Sequence, residues 1–121
     1  MLAFATGFTA LERAVLAAIC EMHSGDQAAL AAQLSSATRL ARENSGCGFF
    51  TRFTVDRVSN VPVGGARFRN GPQVKIDGLA HGMGSILWLK EGYADCLEAY
   101  SFAEPTLGIA LEAVEFEILP R

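Results

Sequence analysis

Apolar residues along this 121-residue chain follow two rhythms, and the change between them falls at Cys47. Before it the spacing is helical. Leu11, Ala14, Val15, Ala18, Ile19 and Met22 recur at three- and four-residue intervals, which makes one apolar stripe on a helix. Thr9-Ala-Leu-Glu12 ahead of them is a capping box, in which the two polar side chains satisfy amides that a first turn leaves free. A helix over about 9–23 is predicted, stopped by His23-Ser24-Gly25. Ser24-Gly-Asp-Gln27 reads as a second box that starts another helix at once, and Leu30, Ala31, Leu34, Ala37 and Ala41 carry it over about 25–43. Arg39 and Arg42 then fall in its last turn, where cations suit the helix dipole. The short link predicts an antiparallel helical pair.

After Cys47 the period is two. In residues 49–58, Phe49, Thr51, Phe53 and Val55 alternate with Phe50, Arg52, Thr54, Asp56 and Val58, the pattern of a half-buried strand. Residues 59–72 hold two prolines and three glycines and read as a long loop, with a short edge strand near 66–69. Strands follow over about 73–77, 84–90, 93–102 and 111–119. Residues 73–102 hold the one Trp and both Tyr, and Glu91-Gly92 divides them as a two-residue hairpin loop. That loop predicts Leu89 opposite Ala94, Leu87 opposite Cys96, Ser85 opposite Glu98, Trp88 opposite Asp95 and Ile86 opposite Leu97; a longer loop with a bulge shifts this register by one. Both faces of the hairpin are partly apolar, so a central position covered on more than one side is expected. Val114, Phe116 and Ile118 alternate with Glu115 and Glu117, a strand with one wet face at a sheet edge. Helix, helix, then four to five strands predicts a single α+β domain over residues 1–121, the helix pair packed on one face of an antiparallel sheet.

Composition narrows the class. The longest uncharged runs, 27–38 and 78–89, have 12 residues each, short of the roughly 20 that span a bilayer. The start of the chain lacks the basic segment and cleavage-like site of a secretory signal, and three well-separated cysteines suit reduced thiols, so a cytoplasmic setting is expected. Two histidines and no C-x-x-C make a zinc site unexpected, and no cofactor is predicted. The charges, net −3, are unevenly distributed. Arg52, Arg57, Arg67, Arg69 and Lys75 face Asp56 alone across 52–75, whereas 91–117 holds seven acids and no base. Arginines interleaved with Phe50, Phe53 and Phe68 raise the thought of nucleic acid, but the overall acidity argues against it.

Two segments carry a resemblance. Residues 41–53, ARENSGCGFFTRF, resemble an R-E-x-[ST]-G-x-G-F-F-T block. Residues 78–102 resemble a G-L-x-x-G-x-G block followed by an apolar strand, an acidic-Gly turn and L-E-x-[YF]. Together they are similar to a family of small uncharacterised bacterial proteins with a helical N-terminal part. The resemblance implies no activity, and Cys47 and Cys96 fall outside its fixed positions.

Candidate chemistry is sparse. The glycines at 78, 82 and 84 precede a strand, whereas phosphate loops need theirs before a helix N-terminus. Asp95 and Glu98 are three apart on a strand and point opposite ways, so they form no carboxylate dyad. Ser85, Glu98 and Tyr100 share a face in the predicted register. Cys96 at a strand centre reads as buried and inert, and Cys47 near Arg42 is the better reactive candidate. The leading expectation is a non-enzymatic module that self-associates as a homodimer or inhibits a basic partner through Asp95, Glu112, Glu115 and Glu117, with no nucleic-acid or membrane role. The alternative is a small-ligand binder or hydrolase-like enzyme with Arg42, Glu43, His81 and Glu98 around a pocket between the turns at 46–48 and 81–84.

Overall fold

The computed structural model describes residues 4–120. The fold is α+β: two N-terminal helices and an antiparallel sheet of seven strands among the described residues. Helix α1 is Ala10–Met22 and α2 is Gln27–Ser35, joined by a 3₁₀ turn at Ser24–Asp26. The capping box of α1 forms as expected: the Glu12 amide donates to Thr9 Oγ1 (3.1 Å) and the Thr9 amide to Glu12 Oε1 (2.8 Å). The second box does not form, and no side chain caps α2.

Helix α2 is also far shorter than the helical spacing predicts. Ser35 Oγ donates to the Ala32 carbonyl and Ser36 Oγ to the Gln33 carbonyl, so hydroxyls take over acceptors that a continuing helix would use. Residues 38–44 are then strand β1, Thr38–Asn44, although their composition favours helix. Pairing with β2, Gly48–Thr54, overrides local preference. Arg39 takes φ 56° where the register slips between Thr38 and Ala41, a bulge on an edge strand. Arg39 and Arg42 are therefore strand residues, not the last turn of a helix. The turn at 46–48 is a β-hairpin rather than a helix end.

The remaining strands are β3 Phe68–Asn70, β4 Val74–Ile76, β5 Met83–Lys90, β6 Tyr93–Ser101 and β7 Phe116–Ile118. Their order is β1-β2-β6-β5-β4-β7, with β3 also on β5. The β5–β6 hairpin is central, as expected, and Glu91 and Gly92 both take positive φ (55° and 86°), the signature of a type I′ turn. Leu89 pairs with Ala94 as predicted. Beyond it the register slips by one: Trp88 pairs with Cys96, Leu87 with Leu97, Ile86 with Glu98 and Ser85 with Ala99. Ala94 and Leu97 both belong in the core, yet their odd spacing would put them on opposite faces of a regular strand. A bulge at Asp95 turns both inward and Glu98 outward, while Trp88, on the regular strand β5, points outward by alternation with Leu87 and Leu89.

Both helices lie on one face of this sheet. Leu11, Val15, Leu16, Ile19, Leu30 and Leu34 form one cluster with Phe49, Phe53, Leu87 and Leu97, and Phe8 meets Phe53 edge-on at 5.3 Å. Gln33, with no solvent exposure, ties this layer to the hairpin. Its Nε2 donates to the Val61 and Gly92 carbonyls (2.8 and 3.1 Å), and its Oε1 accepts from the Ala94 amide (2.8 Å). Gln33→Ala strands the Ala94 amide in the interior, so chemical denaturation is expected to show a loss of about 1–3 kcal/mol.

Candidate functional site

The other face of the sheet is not covered by any element among the described residues. The strand register arranges it in two rows. The first runs Ala41, Arg52, Cys96, Trp88, Phe68 across β1, β2, β6, β5 and β3. The second, one pleat along, runs Glu43, Phe50, Glu98, Ile86, Asn70. The Trp88 and Phe68 rings meet at 5.9 Å, tilted by 60°, while 38% and 40% exposed. The Arg52 guanidinium lies 4.9 Å over the Phe50 ring and reaches Glu43 at 3.3 Å. Trp88 Nε1 donates to Glu98 Oε1 (2.8 Å). Tyr100 folds over Gly84, where a Cβ would sit 2.4 Å from its ring, and meets Phe102 edge-on at 5.8 Å. Covered on one side only, the hairpin departs from the expectation of cover on both. Ser85, predicted to share a face with Glu98 and Tyr100, instead points into the core and donates to the Pro72 carbonyl (2.7 Å).

The four residues expected around a ligand do not meet. Arg42 and Glu43 point to opposite sides of β1, as neighbours on a strand must. Arg42 turns under the helices, where Nε and Nη2 donate to Glu12 at 2.8 and 2.7 Å. Glu43 and Glu98 share the uncovered face with Phe50 between them. His81 is exposed in the loop before β5. No hydrogen bond or ion pair joins any two of the four. The turns meant to flank the pocket are instead filled by the chain itself. The Glu104 carboxylate accepts from the Ala80 and His81 amides (2.8 and 2.9 Å), which hold it below the usual carboxylate range. Thr106 Oγ1, fully buried, accepts from the Gly48 amide and donates to Asn44 Oδ1, both at 2.9 Å.

Glu12 of α1 is a buried charge, 2% exposed. Burial pushes its carboxyl up, but hydrogen bonds from Arg42, from Thr51 Oγ1 (2.5 Å) and from the Thr9 amide, with the guanidinium's charge, more than cancel that. The net result lies below the usual value. The adjoining cavity, lined also by Asn44 and Glu112, holds about 40 Å³, room for water and far below the roughly 300 Å³ of a ligand site. Glu115 and Glu117 border a shallow hollow of about 370 Å³ with Lys75 and Asp77, and every charged side chain there is exposed. Asp95 sits at the hairpin bulge. The four acids expected to bind a partner thus stand in three separate places. Burial raises the Cys96 thiol to about 11, Cys47 is exposed at the hairpin turn, and Arg42 is engaged with Glu12. Among the described residues no cluster of His, Cys, Asp or Glu suits a metal ion, and no helix is long and apolar enough to cross a membrane.

Sequence reading missed the uncovered face. Phe50, Arg52, Phe68, Ile86 and Trp88 were each visible as apolar or charged residues at alternate positions, but only the bulge at Asp95 puts them in common rows. Comparisons of the chain with protein-family models, with curated proteins and with solved structures give no match, so the functional reading rests on the geometry.

Proposed function

We propose that this chain is a non-enzymatic interaction module that binds another polypeptide through the uncovered face of its sheet, with Trp88 near the centre of the contact. The observation that supports it is the exposed Trp88–Phe68 pair, flanked by Phe50, Ile86 and Tyr100 on a face where no helix lies. A one-sided antiparallel sheet ordinarily keeps its outer face polar. Contiguous exposed apolar surface rimmed by charge marks a contact site, and Trp, Tyr and Arg dominate the energetics of such sites. Glu43 stands at its border on β1, and Arg52 and Glu98 lie within the face, where they are placed to pair with charges on a partner. Asp95, Glu112, Glu115 and Glu117 are too dispersed to form one patch and act as solvated charges. The three free thiols suit a reducing compartment, and a cytoplasmic setting belongs to the proposal.

Site-specific photo-crosslinking in cells expressing the chain tests this. A benzophenone side chain replacing Phe68 is expected to give a discrete polypeptide adduct, while one replacing Arg13, on the solvent side of α1, gives none. No adduct from the sheet face, or equal adducts from both positions, would overturn the reading.

A further inference from the structure

We infer that the polypeptide bound on this face is a second copy of the same chain, packed sheet against sheet about a two-fold axis that runs across the strands; this rests on the function proposed above. The argument comes from where the charges lie. The first row carries one charge, the cation Arg52, and the second carries two acids, Glu43 and Glu98. The rows are one pleat apart, about 7 Å along the strands. An end-for-end turn lays the first row of one copy over the second row of its mate. Trp88 then meets the mate's Ile86. Arg52 meets the mate's Phe50, with the mate's Glu43 and Glu98 on either side. Because a two-fold contact is self-complementary, each match occurs twice. A uniformly acidic or uniformly basic partner would satisfy one row and leave the other charged and desolvated, which opposes its binding.

The dimensions fit a weak pair. β3 has three residues and the other four strands seven to nine, so at about 4.8 Å spacing the face measures at most on the order of 20 by 24 Å. That is roughly 500 Å², below the roughly 800 Å² per partner of a stable interface, so pairing is expected toward millimolar concentration. Face-to-face sheets pack about 10 Å apart with their strands nearly aligned, so two copies supply each other's missing layer.

Sedimentation equilibrium of the full chain, from micromolar to millimolar concentration, tests the inference. The wild-type chain is expected to show twice the monomer mass at the upper end. R52E, and separately the double variant E43K/E98K, should each weaken the dimer at least about tenfold, since both create like-charge contacts. Mixing the two variants should restore a heterodimer, because each supplies the charge the other needs. Circular dichroism shows whether each variant is folded, and Phe68→Ser, at an exposed position, gives an independent disruption. A wild-type monomer throughout overturns the inference. So does a dimer indifferent to R52E and Phe68→Ser, or a mixture that stays monomeric. If the isolated chain is monomeric while crosslinks from position 68 have a mass other than twice the chain, the interaction module stands and self-pairing falls. If there is neither crosslink nor dimer, both fall.

Discussion

Gly48→Ala is expected to destabilise the chain by about 3–5 kcal/mol, a drop in Tm of roughly 10–20 °C. Gly48 takes φ 132°, a region that side chains of L residues rarely enter, and a Cβ there would sit 2.0 Å from the Ala99 carbonyl oxygen on β6. The obstacle is backbone in the middle of the sheet, so it cannot swing away. Relaxing it means parting β2 from β6 at Tyr100, or moving Gly48 off Thr106 and opening the network that closes the first hairpin. Differential scanning calorimetry beside a Gly25→Ala control checks this, because a Cβ at Gly25 meets nothing within 4 Å. A small loss at Gly48, equal to that at Gly25, would mean the β2–β6 contact is looser than described.

Breaking the buried pair beneath α1 is the second large effect. Arg42→Ala leaves the Glu12 carboxylate among apolar neighbours with Thr51 and the Thr9 amide as its remaining donors, and should cost about 3 kcal/mol at pH 7. Arg42 is itself 35% exposed, which places the loss at the lower end for a buried pair. The pH dependence distinguishes the mechanism. In the wild-type chain the folded-state value of Glu12 lies below 4.5, so its contribution is present above the ordinary carboxylate value and is lost as pH falls through the lowered one. Without Arg42 two of the influences that lower Glu12 are gone, its hydrogen bond and its charge, so the value lies higher than in the wild-type chain. Glu12 of the variant is then protonated at higher pH than that of the wild type, and the deficit of Arg42→Ala shrinks as pH falls from 7 toward 4. Glu12→Gln, with no charge to titrate, should show a deficit that shrinks as pH falls below about 4.5, where the wild-type chain loses its own advantage. Urea denaturation at pH 7, 5 and 4 separates the two curves. A deficit for Arg42→Ala that does not change with pH would show that Glu12 is already solvated.

The α+β class, α1 with its capping box, the central hairpin and its Glu91-Gly92 turn were legible because local chemistry and the final fold agree there. Residues 38–44 were not. Ala, Leu, Arg and Glu favour helix in isolation, and only pairing with β2 makes them a strand, a contact that no local pattern encodes. That single misreading placed Arg42 at a helix end rather than on Glu12, and it put Glu43 beside Arg42 when the two face opposite ways. The bulge at Asp95 had the second consequence. A shift of one residue exchanges the faces of β6 beyond it, so the predicted grouping of Ser85 with Glu98 dissolved and Glu98 joined Trp88 on the outer face. The glycine-rich blocks were visible, but their role was not. The amides they expose are met by Glu104 and Thr106, from a segment whose sequence gives no sign of where it docks.

Trp88 is the chain's one tryptophan, so its emission reports the uncovered face without background. The most direct measurement is its emission maximum and its quenching by acrylamide, followed as the protein is concentrated from micromolar to millimolar. Burial of that face against a second copy predicts a shift to shorter wavelength and a several-fold drop in quenching, both over the range where the mass doubles. Emission and quenching that stay constant across that range, with or without a change in mass, would contradict a contact centred on Trp88.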